Sequence, residues 1–157
     1  MIEQAAPRPT GTRNALSAIG VGGFIAGTLD LLQACIQLGW DIPLLIAGGL
    51  LGAKADHGGV GNYLLGIFLH FFIALSAAAT YYAASRLLPF MNHHPLLCGL
   101  YFGATVRLVM HLIVLPLSAL HATAPLPIHD LLWGLLQKGV VVGLPIAYSV
   151  RHFAKGE

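Results

Sequence analysis

Five ionisable side chains lie within apolar stretches of this sequence, and they are its candidates for chemistry. They are Asp30, Arg107, Lys138, His70 and His111. Carboxylate, ammonium and guanidinium groups can form an ion pair, hold a small anion or relay protons, and two imidazoles can bind a haem iron. The sequence contains no carboxylate pair, no nucleophile arrangement and no phosphate-cradling loop, so it does not predict an enzyme.

The composition indicates that a lipid bilayer surrounds these side chains. Of the 157 residues, 57% are hydrophobic and 9% are charged, and the mean hydropathy is +0.78. A soluble domain carries about 25% charged residues, so this composition cannot supply a water-facing surface. A formal net charge of +2 without clusters of Lys and Arg also excludes a nucleic-acid binder.

Four windows are long and apolar enough to cross a bilayer, which takes about 20 residues at a rise of about 1.5 Å per residue. Their residues are apolar on all sides, which argues against the alternation of a membrane β-barrel. The sequence therefore predicts an all-α, polytopic, four-helix transmembrane bundle with helices at about 15–38, 62–88, 96–121 and 129–150.

The remaining segments are assigned by their polarity and length. Residues 1–14 read as a polar amino-terminal arm, 15–151 as a single membrane domain and 152–157 as a tail. Residues 43–53 are apolar but too few to span, which predicts a short outer helix that is either interfacial or re-entrant.

The placement of Lys and Arg predicts the orientation, because cytoplasmic segments of membrane proteins are enriched in them. With the amino terminus inside, the outer side holds only Lys54. Both termini are therefore predicted in the cytoplasm, together with the basic residues Arg8, Arg13, Arg86, Arg151 and Lys155.

The five ionisable side chains fall in one layer near the bilayer centre when they are placed by their helix positions. A charge at this depth costs about 2.5 to 3.5 kcal/mol on insertion scales, so it should face inward and pair. Asp30 is the only acid in the layer, and Arg107 can bind it with two parallel hydrogen bonds. Lys138 would then compete for Asp30, face water, hold an anion or lose its proton. The layer is either a structural ion pair or a functional polar site.

His70 and His111 are predicted at similar depth on different helices. Two such histidines can be axial ligands of a b-type haem, although a membrane histidine can equally be a hydrogen-bonding packing residue. No metal site and no cofactor are predicted, and haem b remains an alternative.

Small residues at intervals of four allow membrane helices to approach closely. Three of the windows carry such glycine pairs, and two of them align with Asp30 or Arg107 on one face. The expected packing glycines are Gly23, Gly27, Gly99, Gly103, Gly139 and Gly143.

The stretch from Gly59 through Asn62 and His70 to Pro89 resembles the second spanning segment of small bacterial inner-membrane proteins of the YagU-like kind. Residues 97–117, with the loop and helix that follow, are similar to their carboxyl-terminal half. The resemblance implies a four-helix protein of the bacterial inner membrane, and it transfers no catalytic residue.

The first functional hypothesis is an accessory or structural protein that assembles with itself or with a larger membrane complex through its glycine faces. The alternative is a small transporter or channel subunit that moves protons, an anion or a small polar solute through the polar layer. A b-type haem protein is the second alternative. A water-filled cavity that reaches Lys138 would favour transport, whereas a dry layer with a glycine face toward lipid would favour assembly.

Overall fold

The structure is a computed structural model that describes residues 10–52, 58–121 and 127–154. The first nine residues of the predicted arm and the last three of the predicted tail lie outside the described residues. So do three of the basic residues used for the orientation, namely Arg8, Lys54 and Lys155.

The secondary structure of the described residues is helical. The first four are α1 (Thr10–Leu38), α2 (Ile42–Leu51), α3 (Val60–Leu87) and α4 (Phe90–His93). Helix α5 consists of Pro95–Val109, a π-helical segment Met110–Val114, and Leu115–Leu117. Helix α6 consists of Ile128–Lys138, a π-helical segment Gly139–Gly143, and Leu144–Ala154.

Four of these helices, α1, α3, α5 and α6, are long and apolar enough to cross a membrane, which confirms the predicted all-helical class. Their ends differ from the prediction by a few residues. Helix α1 begins at Thr10, so that residues 10–14 of the predicted arm are helical, and α5 ends at Leu117 because the backbone of Ser118 is extended.

Large apolar side chains cover the outer surface of the four helices. Phe68, Tyr101 and Leu112 are each more than 60% exposed, and many other aliphatic side chains are exposed beside them. Soluble monomers rarely expose continuous apolar surface on this scale. The described residues therefore have the surface of a multi-pass membrane protein.

Helix α1 packs between α3 and α6, and it is antiparallel to both. A β-carbon on Gly23 would lie 2.9 Å from the side chain of Leu75 in α3. On the other side, the Ser149 hydroxyl of α6 donates a 3.0 Å hydrogen bond to the Ala18 carbonyl. These contacts fix the register of α1 against both neighbours.

Helices α5 and α6 approach until their backbones touch, and glycine makes this possible. A β-carbon on Gly143 would overlap the carbonyl oxygen of Gly99, and one on Gly103 would overlap the carbonyl oxygen of Lys138. The glycine pairs of both helices are therefore used inside the chain, against each other.

The short helix α2 packs against α3 and the end of α5. Pro43 is buried, and its carbonyl oxygen lies where a β-carbon on Gly66 of α3 would be. The amide of Ala119, just after α5, donates a 2.9 Å hydrogen bond to the Gly49 carbonyl. Whether α2 lies at the interface or re-enters the bilayer stays a prediction.

Candidate functional site

Helices α1 and α6 are in contact along one half of their length and separate along the other. Helix α1 packs against the Gly139–Gly143 and Leu144–Ala154 segments of α6, and it diverges from Ile128–Lys138. The divergence leaves a cavity of about 370 Å³, which we call the polar cleft. It extends from Leu38 and Asp130, near the helix ends, to Asp30 and Lys138 at mid-helix depth.

The polar cleft is lined by charged and amide side chains from three helices. Helix α1 contributes a carboxylate and two amides, α5 contributes a guanidinium, and α6 contributes a carboxylate, an amide, an ammonium and an indole. These side chains belong to Asp30, Gln33, Gln37, Arg107, Asp130, Gln137, Lys138 and Trp133.

An ion pair lies at the bottom of the cleft, and it joins Asp30 of α1 to Lys138 of α6. The Lys138 ammonium donates a hydrogen bond to one carboxylate oxygen of Asp30. The Asp30 side chain is 13% exposed and the Lys138 side chain 25% exposed. Both charged groups are therefore largely removed from solvent but still accessible from the cleft.

The predicted pairing of Asp30 with Arg107 is wrong, and the packing of α5 on α6 explains why. Gly103 of α5 lies against the backbone of Lys138, so Arg107, one turn further along α5, reaches Gly134 instead. A β-carbon on Gly134 would lie 3.0 Å from Arg107 Nε. The guanidinium thus lies beside α6 one turn from Lys138, and Lys138 occupies the carboxylate.

Arg107 has no ion-pair or hydrogen-bond partner among the described residues. Its Nε atom is buried without a partner, and so is the Oε1 atom of Gln33, another residue of the cleft. A cation within a membrane is normally paired or placed beside water. The cleft therefore contains a guanidinium whose hydrogen-bonding capacity the described protein groups leave unused.

The two histidines of the predicted layer lie elsewhere. His70 of α3 bonds through Nε2 to the Gly27 carbonyl oxygen of α1 at 2.8 Å; since a carbonyl only accepts, the ring nitrogen is the donor. His111 is half-buried in the π-helical segment of α5, and neither residue lines the cleft. Of the five ionisable residues, the cleft brings together Asp30, Arg107 and Lys138.

The His70 bond predicts a modest loss of stability on mutation. His70→Ala should lower the free energy of unfolding by about 1 kcal/mol, because hydrogen bonds between membrane helices are worth about 0.6 to 2 kcal/mol. Unfolding in a denaturing detergent series measures this change. His93→Ala is the matched control, since His93 is exposed, and equal stability of the two variants would contradict the prediction.

Among the described residues, no group of three or more His, Cys, Asp and Glu side chains is placed so that it could hold a metal ion. The two cysteines are free thiols. The haem hypothesis for His70 and His111 stays a prediction, and Soret absorbance of the purified protein tests it.

Several cleft residues were not identified from the sequence, although a signal was present. Gln33 lies three residues after Asp30 and Gln37 four residues after Gln33, which places all three on one face of α1. Asp130, Gly134 and Lys138 repeat at intervals of four on α6. Amide side chains on the same face as a membrane carboxylate indicate a polar lining.

Comparison of the chain with protein-family models, with curated proteins and with solved structures finds no match. The resemblance to YagU-like proteins stays a prediction. The function is therefore inferred from the residues of the cleft and their geometry.

Proposed function

We propose that this chain is a small membrane transporter or channel subunit that binds a small anion in the polar cleft. The observation that carries the proposal is the Arg107 guanidinium, which lines the cleft without a counter-ion among the described residues. Asp30 is paired with Lys138, and among the described residues no ion pair joins Arg107 to Asp130, the other carboxylate that lines the cleft.

The unused hydrogen-bonding capacity of Arg107 favours an anionic ligand. The cleft is lined by two cations, Arg107 and Lys138, and two carboxylates, Asp30 and Asp130, but Asp30 is paired with Lys138 and Asp130 lies 3.4 Å from His129 Nδ1. A charge left unpaired within a bilayer costs about 2.5 to 3.5 kcal/mol. An anion bound to Arg107 pairs this charge, and a guanidinium presents parallel N–H donors that match carboxylate-type oxygens.

The size and lining of the cleft suit a small polar ligand. Its volume is about 370 Å³, at the lower end of the range of about 300 to 1,000 Å³ that is typical of ligand sites. The amides of Gln33, Gln37 and Gln137 add donors and acceptors around the charged groups.

We also infer that the cleft opens to the outside of a bacterial inner membrane and that both termini are cytoplasmic. Apart from Arg107 and Lys138 of the cleft, the described Lys and Arg residues are Arg13, Arg86 and Arg151, and these three lie at the end of the helices away from the cleft. Cytoplasmic ends of membrane helices carry such an excess of positive residues.

Passage of the anion across the membrane requires the other halves of α1 and α6 to separate. There, a β-carbon on Gly22 of α1 would lie 3.0 Å from that of Ser149 in α6, so the two helices close the path. This arrangement supports a site that is open from one side at a time.

The accessory role has weaker support. Assembly was expected to use the glycine faces, but Gly99 and Gly103 of α5 lie against Gly143 and the Lys138–Gly139 backbone of α6. Gly23 likewise faces Leu75 of α3. Any association with a larger complex would use other surfaces.

Arg107→Gln tests the proposed function. We expect nitrate and methanesulfonate flux into proteoliposomes to fall at least tenfold, because a charge-assisted hydrogen bond is worth about 1.5 to 3 kcal/mol and tenfold corresponds to about 1.4 kcal/mol. The free energy of unfolding should not fall, because Arg107 has no hydrogen-bond or ion-pair partner to lose among the described residues.

Arg13→Gln is the matched control, since Arg13 is an exposed arginine at the other end of α1. It should transport like the wild type. Absence of anion binding and flux in the wild type, or equal flux in the two arginine variants, would contradict the proposed function.

A further inference from the structure

We infer that the anion is taken up together with one proton and that Asp30 carries this proton. The inference rests on the proposed function and adds the co-substrate to it. It follows from the position of the Asp30–Lys138 ion pair, which is the bottom of the same cleft that Arg107 lines.

In the structure the ammonium of Lys138 donates a hydrogen bond to Asp30, and the carboxylate both compensates its charge and repels an anion beside it. A proton on Asp30 removes the negative charge that holds Lys138. The ammonium stands on a flexible four-carbon stem, so it can then turn to a ligand beside Arg107. Protonation therefore converts a site with one uncompensated cation into a site with two.

Uptake of a proton together with the anion keeps the net charge of the cleft constant, which is favourable in a bilayer. A proton on Asp30 and a monovalent anion beside Arg107 add no net charge to the cleft. The loaded and the empty site therefore carry the same charge, and the electrostatic cost of crossing the membrane does not rise on loading.

Charged groups on the surrounding helices define the environment of Asp30. Helix α6 presents Lys138 and, at the mouth of the cleft, Asp130; helix α5 presents Arg107. Helix α3 places His70 one turn away along α1, with its Nε2 engaged by the Gly27 carbonyl. Among these described groups, Asp30 is the carboxylate that contacts the lysine.

The proton balance of the cycle is simple. A proton from water in the cleft forms an O–H bond on one carboxylate oxygen of Asp30, while Lys138 keeps its ammonium protons throughout. When the anion leaves on the other side, the O–H bond breaks, the proton passes to water there, and the ion pair with Lys138 forms again.

Nitrate is the probe for the test, because it stays anionic throughout the pH range used. Linkage requires that proton binding and anion binding strengthen each other equally. We expect the affinity of the wild-type protein for nitrate to rise by up to about tenfold per unit decrease in pH. In proteoliposomes with an internal pH dye, an inward nitrate gradient should acidify the lumen without an added ionophore.

Asp30→Asn should abolish this coupling. The variant should bind nitrate with an affinity that does not change between pH 5 and pH 8, and its nitrate flux should need an ionophore to compensate charge. Asp41→Asn is the matched control, because Asp41 is an exposed carboxylate outside the cleft. It should acidify the lumen like the wild type.

Two results would overturn the inference, and they differ in what they leave standing. Nitrate binding that is sensitive to Arg107→Gln but independent of pH and without proton movement would remove proton coupling and retain the proposed function. Absence of nitrate binding would remove both. The wild-type pH series and lumen acidification decide whether a proton accompanies nitrate even where Asp30→Asn does not fold.

Discussion

Gly143→Ala should lower the free energy of unfolding by about 3 kcal/mol. The new β-carbon would overlap the carbonyl oxygen of Gly99 and lie 2.7 Å from its carbonyl carbon. Overpacking typically costs about 1 to 3 kcal/mol, and here the obstacle is backbone that cannot change rotamer. Detergent unfolding followed by circular dichroism measures the change.

Gly20→Ala is the matched control for this substitution. Gly20 also lies within a long helix, but a β-carbon there would meet no atom within 4 Å. Since alanine is favoured over glycine in a helix by about 1 kcal/mol, this variant should be as stable as the wild type or more stable. Similar stability of the two alanine variants would show that α5 and α6 are not in backbone contact.

Lys138→Met should have the second large effect, a loss of about 3 kcal/mol. It leaves the Asp30 carboxylate without its partner, and breaking a buried ion pair from one side costs about 3 to 5 kcal/mol. We take the lower part of this range because the two side chains are 13% and 25% exposed. Adding Asp30→Asn should recover most of the loss, since the double variant contains neither charge.

A second double-mutant cycle, with Asp30→Asn and Arg107→Gln, provides the comparison for the cycle of Asp30→Asn and Lys138→Met. We expect these two substitutions to be nearly additive, because Asp30 is paired with Lys138 and no ion pair or hydrogen bond joins it to Arg107. Strong coupling in this cycle and additivity between Asp30 and Lys138 would reverse the assignment and support the pairing predicted from sequence.

The four long helices were predictable because their signal is local. A run of about 20 apolar residues satisfies the bilayer by itself, whatever its neighbours are. The errors at the ends are also local in origin: Thr10 to Asn14 are polar enough to resemble a loop, yet they continue α1.

The pairing within the polar layer was not predictable, because it depends on register between helices. The sequence places Arg107 and Lys138 at nearly the same depth, and the two parallel hydrogen bonds that a guanidinium can form favour Arg107 as the partner of Asp30. The contact of Gly103 with the Lys138 backbone decides otherwise. The glycine spacing indicates that Gly103 packs closely against a helix, but it does not identify which backbone atoms of which helix it meets.

The role of His70 was hidden for the same reason. Its partner is the backbone carbonyl of Gly27, an acceptor that no sequence pattern marks. Depth alone suggested an association with His111, whereas the helix that His70 faces is α1. Predicted depth locates polar groups along the membrane normal but does not identify their neighbours.

The π-helical segment Gly139–Gly143 gives α6 one extra residue between its two halves. The half before this segment lines the polar cleft, and the half after it packs against α1. Deletion of a single amino acid there would restore a regular helix and turn Lys138 by about 100° relative to Ile146. A chain shortened in this way would keep its hydropathy and its four crossings but would point the ammonium away from Asp30. Gain or loss of this one residue during evolution would thus form or abolish the contact between Lys138 and Asp30 while the four apolar helices stay the same.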